Sequence, residues 1–129
     1  MRLLESILDR VPSAVVVKDR RGIVRYANAT YARLHGLSVE EVVGRTEWDF
    51  MSADSADRFH LDDLAVIDGD RGVQFDDELP TPEGLRYFKT AKFPLYDASG
   101  TAWAMCAIAT EVTAEHRLQI ALRGSRDQL

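Results

Sequence analysis

Apolar residues near the start of the chain recur at helical spacing. They lie three or four positions apart, with charged residues between them, at Leu3, Leu4, Ile7, Leu8 and Val11. This pattern predicts an amphipathic helix, which ends at Pro12 because proline disfavours a helical conformation in the residue before it. The stripe must pack on its own domain or on a partner.

The following segment has the pattern of a β-hairpin and then of helices. Residues 14–17 are a short β-branched run and residues 23–26 are predicted to continue as a second strand, and Gly22 in the turn between them can adopt a positive φ. N-cap residues and glycines then predict three helices. These are 29–35, a short helix that begins at Ser38 with a Ser-x-x-Glu capping box and ends at Gly44, and a long helix from Asp54 or Ser55 to Gly69 or Gly72.

The second half of the chain alternates apolar and polar positions, which predicts β-strands. The predicted strands are 73–79, 85–95 and 101–110, with Pro80–Gly84 as a turn, and a polar helix over 114–123 follows at once. Hairpin connections favour an α+β fold with an antiparallel sheet of about five strands and helices on one face.

The last strand is apolar on both faces. Trp103, Met105, Ala107 and Ala109 would form one face, whereas Ala104, Cys106 and Ile108 would form the other. A strand with one solvated face should alternate with polar residues. We therefore expect the outer face to be covered by the N-terminal helix, either of the same chain or of a second copy. The second arrangement predicts a homodimer.

Composition narrows the partner classes. A net charge of −5 disfavours a nucleic-acid surface. A single cysteine cannot form an internal disulfide and predicts a reducing, cytoplasmic compartment. No stretch has the roughly 20 apolar residues that a membrane span requires, and the N-terminus lacks a signal-peptide pattern, so no membrane insertion is expected.

Several short motifs in this order resemble the PAS family of sensory domains over roughly residues 4–122. The motifs are the segments 17–28, 32–36, 41–46, 92–100 and 109–113. The resemblance implies an N-terminal cap or dimer helix at 1–12, a PAS core at 13–113 and a C-terminal linker helix at 114–129. Glu111-Val112-Thr113 stands where the family has Asp-Ile-Thr, and it would relay a signal to an effector such as a histidine kinase or a cyclic-dinucleotide enzyme.

The resemblance also bears on cofactors. The photoactive flavin type requires a cysteine where Glu47 stands, so adduct chemistry is excluded. The haem type requires an axial histidine on the long helix, but that position falls nearer Arg58 than His60. We expect no haem and no metal site, because the three histidines lie far apart in the predicted layout. His35 is expected to be a cation at the end of its helix.

Candidate pocket residues follow from the family register and from aromatic patterning. They are Lys18, Trp48, Phe50, Leu64, Ile67, Phe75, Phe88, Lys92, Met105 and Ala107. Trp48 and Phe50 would either stack on a planar ligand or fill the concave face of the sheet. Two inward lysines would require acids or an anionic ligand. The alternative is that each lysine extends to the rim of the cavity or pairs with Asp77 or Glu78. Asp62, Asp63 and Asp76 are expected on solvated faces, together with Asp77 and Glu78.

Two functions remain open. The first is a sensory module that binds a small molecule and relays occupancy through residues 111–113. The second is a ligand-free dimerisation or protein-interaction module. A cavity above roughly 300 Å³ would favour the first function. No phosphate loop, nucleophile elbow or metal motif is present in the sequence, so the chain is not expected to be an enzyme.

Overall fold

Five strands form one antiparallel sheet in the spatial order β2-β1-β5-β4-β3. The computed structural model describes residues 2–127, so Met1, Gln128 and Leu129 of the predicted end segments lie outside the described residues. The elements are α1 Arg2–Arg10, β1 Ala14–Asp19, β2 Val24–Ala27, α2 Ala29–Leu34, α3 Val39–Val42, a 3₁₀ turn Glu47–Asp49, α4 Ala53–Asp68, β3 Val73–Thr81, β4 Gly84–Tyr96, β5 Ala102–Glu111 and α5 Thr113–Asp127. The predicted α+β fold is confirmed.

The last strand lies at the centre of the sheet. It pairs with β1 in a register that sets Val16 opposite Ala107, and it pairs with β4 in a register that sets Lys92 opposite the same Ala107. Side chains alternate between the faces of a strand, so every second residue of β1 and β5 faces the helices. Met105 is fully buried there, packed in one core with Val24 and Val42.

Two predicted boundaries are wrong, for local reasons. The long helix starts at Ala53, one or two residues early, because the Ser52 side chain accepts a hydrogen bond from the Ser55 backbone N–H and acts as the N-cap. Pro80 and Thr81 belong to β3 and not to the turn. Proline is tolerated there because β3 is an edge strand.

Helix α1 lies beside α2, and the first three residues of its apolar stripe face solvent, whereas Leu8 and Val11 are half-buried. The Asn28 side-chain amide donates to the Leu8 carbonyl at 2.7 Å, and the Ala29 N–H donates to Asp9 at 2.9 Å. Leu3, Leu4 and Ile7 are 76%, 60% and 51% exposed. The centre of the outer sheet face needs no second copy to cover it, because Ala104 and Cys106 are already buried within the single chain. Among the described helices, none is both long and apolar enough to span a bilayer.

Candidate functional site

Two lysines lie on the helix-facing side of the sheet. Lys18 is the third residue of the inward series on β1, after Ala14 and Val16, and Lys92 is on β4. Each is only 4% exposed. A buried ammonium ion requires a compensating charge.

The compensating charges come from the 3₁₀ turn and from α4. Lys18 Nζ lies 2.6 Å from Glu47 Oε1 and 2.6 Å from Asp63 Oδ2, and Lys92 Nζ donates to Asp63 Oδ1 at 2.9 Å. Tyr31 Oη donates to the second oxygen of Glu47 at 2.6 Å. We call Lys18, Tyr31, Glu47, Asp63 and Lys92 the buried network. Two cations and two anions give it a net charge of zero.

The pKa values within the buried network follow from burial and from the partners. Desolvation acts to lower the pKa of Lys18, but the charges of Glu47 and Asp63 outweigh it and the pKa is raised. Desolvation acts to raise the pKa of Glu47, but Lys18 and the Tyr31 hydroxyl hold it below its ordinary value. Burial and Glu47 together raise the pKa of Tyr31 well above its ordinary value. Lys18 and Glu47 are therefore charged and Tyr31 is a neutral donor near pH 7.

A cavity of about 80 Å³ lies against the buried network. Four candidate pocket residues line it: Lys18, Phe88, Lys92 and Ala107. The rest of its wall is mainly apolar and comes from β1, α2, α4 and the β3–β4 hairpin. It also includes the carboxylate of Asp77, which is half-buried and not on a fully solvated face as predicted. The cavity is well below the 300 Å³ that is typical of ligand pockets. The part of a molecule that this space encloses is therefore small, although Leu34, His35, Met51 and Leu79 also line an adjoining open cleft of about 600 Å³.

The other candidate pocket residues lie around the cavity and not along its wall. Ile67 and Met105 belong to the buried core, and Phe50 packs against it. Leu64 is half-buried on α4, and the ring of Phe75 lies 5.5 Å from Lys92 Nζ. Trp48 is 38% exposed and donates from its indole nitrogen to Asp57 at 2.8 Å. The structure thus brings the lysines and Phe88 together and places Trp48 at the surface.

Two predictions about the acids are wrong. Asp63 is 2% exposed and not solvated, and the lysines pair with Glu47 and Asp63 instead of Asp77 or Glu78. The position of Asp63 was detectable in the sequence. It is four residues after Phe59 and four before Ile67, so it lies on the apolar stripe of its own helix. The roles of Glu47 and Tyr31 had no comparable local signal.

The histidines differ from one another. His35 packs against Tyr31 with ring centroids 4.7 Å apart, and burial lowers its pKa. The neutral form is favoured, so the prediction of a helix-end cation is wrong. His60 contacts the ring of Trp48 at 4.9 Å, and its buried Nδ1 has no hydrogen-bond partner among residues 2–127.

Hydrogen bonds hold the end of β5 to β4. We call the residues that form them, Arg86, Tyr87, Glu111, Val112 and Thr113, the clasp. Glu111 accepts two hydrogen bonds from the Arg86 guanidinium and one from the Thr113 hydroxyl at 2.8 Å. The Tyr87 N–H donates to Thr113 Oγ1 at 2.9 Å, and the Val112 N–H donates to the Tyr87 carbonyl at 2.7 Å. The hydrogen bond from Arg86 is the main cause of the lowered pKa of Glu111. The start of α5 is thereby attached to the sheet.

Comparison with known proteins places this geometry in a family. The family described as PAS fold matches residues 8–117. Two curated relatives are a methanogenesis regulatory histidine kinase, FilI, of Methanothrix harundinacea and a diguanylate cyclase of Vibrio cholerae. They are 25% identical over 108 residues and 26% identical over 114 residues, and the matches cover 84% and 86% of this chain. The chain spans 12% and 36% of the lengths of these relatives.

Solved structures show the same architecture. A dimer of Vibrio cholerae VqmA superposes with a TM-score of 0.78 at 26% identity, covering 89% of this chain and 52% of that one. VqmA bound to DPO gives 0.77 at 26% identity, covering 87% and 58%. The PAS domain of Bordetella pertussis BvgS gives 0.75 at 19% identity, covering 99% and 97%, and supports the fold alone.

Proposed function

Because this chain belongs to the PAS family of sensory domains, we propose that its cavity holds a small ligand and that β5 conveys occupancy to α5. One observation carries the proposal: Phe88, in the cavity wall, is the register partner of Glu111 in the clasp. Its neighbours Arg86 and Tyr87 make the hydrogen bonds of the clasp. A shift of β4 on ligand binding would therefore alter the attachment of α5.

The proposed relay requires a ligand that binds one arrangement of the clasp better than another. A ligand shifts an equilibrium only by its differential affinity for the two states. Coupling free energies between two sites are typically about 1–3 kcal/mol, and we expect the coupling between the cavity and the clasp to be on this scale. Lys18, Phe88, Lys92 and Ala107 would contact the ligand, and Glu111, Val112 and Thr113 would transmit its effect.

The proposed parent protein is longer than this chain. In it, residues 1–12 would serve as a cap or dimer helix, 13–113 as the sensory core and 114–129 as the linker. A histidine kinase or a cyclic-dinucleotide enzyme is the proposed effector, supported by the two curated relatives. The proposed compartment is the cytoplasm. The segment itself would act by binding and not by catalysis.

A ligand-free dimerisation module is the alternative, and two observations favour it. The cavity of about 80 Å³ is small, and the stripe formed by Leu3, Leu4 and Ile7 has no cover within residues 2–127. Both proposals include a homodimer formed through this stripe. The dimeric state of VqmA supports a homodimer, and the exposed side chains of Leu3, Leu4 and Ile7 are the reason for proposing this surface.

Extraction of the purified protein separates the two functions. We expect the supernatant of denatured protein to contain a stoichiometric small molecule detectable by mass spectrometry. The variant Ala107→Leu adds three carbon atoms, which suit a cavity of about 80 Å³, and should lose that molecule while remaining folded and dimeric. Protein that carries no molecule, and that accepts none from a metabolite library in thermal-shift assays, would favour the ligand-free module.

A further inference from the structure

The buried network is electrically complete before any ligand enters. Its two ammonium groups and two carboxylates have side chains at most 9% exposed, and they lie within 2.9 Å of each other in pairs. Resting on the function proposed above, we propose that the cavity selects an uncharged molecule whose enclosed part is smaller than benzene and carries a hydrogen-bond acceptor for Lys92.

A charged ligand would leave one charge unbalanced in a buried site. A carboxylate entering the cavity would have to displace Glu47 or Asp63 from a lysine, or remain unpaired beside them. Glu47 holds two hydrogen bonds, from Lys18 and Tyr31, and Asp63 bridges both lysines. The Asp77 carboxylate also lines the cavity, but it is partly exposed, so a pair with a cation there would contribute about 1 kcal/mol or less. Desolvation of an unpaired ion costs several kcal/mol, so an anion or a cation binds more weakly than a neutral molecule of the same shape.

The network retains donor capacity on one side. The Lys92 ammonium has three N–H groups and makes one hydrogen bond, to Asp63, within residues 2–127. Lys92 and Thr90 both line the cavity, whose other walls include Ala14, Val16 and Ala107. An amide or carbonyl oxygen fits the polar end, and a short apolar group fits the opposite wall.

The size limit follows from the cavity volume. An apolar cavity of about 150 Å³ accepts benzene. The cavity here has about 80 Å³. Propionamide, with five non-hydrogen atoms and one carbonyl oxygen, suits this space. Propionate and propionamidinium have nearly the same shape and carry charges of −1 and +1.

The test is a methyl NMR titration of the full chain with these three compounds in separate samples. We expect propionamide to give saturable shifts of the Ala14, Val16 and Ala107 methyl groups. Propionate and propionamidinium should bind at least tenfold more weakly. Equal or tighter binding of propionate at these methyl groups would overturn the proposed selectivity for uncharged molecules but would leave the ligand-binding function standing. No shift at these methyl groups with any compound would overturn the proposed ligand class, whereas the extraction experiment above decides separately whether the chain binds a ligand.

Changing the network charge should change the selectivity. Asp63→Asn leaves the network at +1, so propionate should become the preferred compound by at least tenfold. Lys92→Met leaves it at −1, so propionamidinium should become preferred. Asp62→Asn, at the exposed neighbour, should keep the wild-type order. If Asp63→Asn fails to fold, Glu47→Gln supplies the same charge. An unchanged order in the folded charge variants would contradict the proposal.

Discussion

At the scale of single residues, the dominant feature is the pairing of buried charges. Each ion of the network loses its hydration on folding, a cost that its partners must offset. Asp63 does this for two lysines at once, and the Tyr31 hydroxyl satisfies the outer oxygen of Glu47. Removing one member of the network is expected to lower the free energy of unfolding by more than its ion pair contributes to it, because the partner ion stays buried without a compensating charge.

Lys18→Met should lower the free energy of unfolding by about 3–5 kcal/mol, because it leaves Glu47 buried without its cation. Arg20→Met removes the cation of an exposed pair with Asp68, whose side chains are 49% and 63% exposed, and should cost about 1 kcal/mol or less. Urea denaturation of both variants measures the difference. Similar losses would show that burial of the network does not govern its energetics.

The stability conferred by Glu47 should depend on pH. Its pKa is lowered in the folded protein from the ordinary 4.5, so its contribution is complete above that pH and is lost as the pH falls through the folded pKa. We expect the difference in unfolding free energy between wild type and Glu47→Gln to be constant near neutrality and to shrink below about pH 4.5. Denaturant titrations across this range test it. A difference that is unchanged in acid would contradict the assignment of Glu47 as a buried carboxylate.

At the scale of elements, the β1–β2 turn and the β5–α5 exit position the site. Gly22 has a φ of +84°, and a methyl group there would lie 3.1 Å from the Trp48 ring and 3.3 Å from His60. The turn therefore packs closely against the 3₁₀ turn and α4, which carry Glu47 and Asp63. The connection from β5 to α5 lies at the other end of β5, where Glu111 is the last residue of the strand.

Gly22→Ala and Gly100→Ala form a matched pair, because both glycines have a φ of +84° and only Gly22 has neighbours within 4 Å. Each substitution should cost about 1–2 kcal/mol for the left-handed backbone. Gly22→Ala should cost about 1 kcal/mol more, because the added methyl overpacks the site. Thermal and urea unfolding measure both variants. Equal losses would mean that the turn does not support the helices.

Glu111→Gln should loosen the start of α5, because it weakens the charge-assisted bonds from Arg86. We expect amide hydrogen exchange over residues 112–116 to become about tenfold faster while exchange in β1 and β5 is unchanged. Glu115→Gln, on the first turn of the same helix and exposed, is the control. Unchanged exchange in Glu111→Gln would show that the clasp does not hold the exit.

At the scale of the whole molecule, the apolar surface of α1 is the feature without an internal partner. Leucine and isoleucine side chains more than half exposed on one helix face favour association with a second copy. Helix α1 is hydrogen-bonded to the start of α2, and α2 contributes Tyr31 and Leu34 to the cavity wall, so the proposed interface would lie one helix away from the cavity.

Ile7→Glu should shift the chain from dimer to monomer, because it places a charge in the proposed interface. Leu61→Glu, at a position that is 68% exposed on α4, should leave association unchanged. Sedimentation velocity at several concentrations tests both variants. A wild-type chain that is monomeric at the highest concentration would refute the proposed dimer.

The sequence by itself determined the order and type of the elements, the family and the place of the exit motif. These follow from local signals, such as the capping box at Ser38 and the alternation along β5, because hydrogen bonds and side-chain periodicity are local. It also indicated that Lys18 and Lys92 face inward. It did not identify their partners.

Only the tertiary structure decided which acids meet the lysines and how little space remains beside them. Glu47 and Asp63 are 29 residues from Lys18 and from Lys92 respectively along the chain, and no local preference links such distant side chains. Their pairing depends on how helices and sheet pack in three dimensions, and so does the cavity volume. The network charge, and with it the proposed ligand class, arises from that packing.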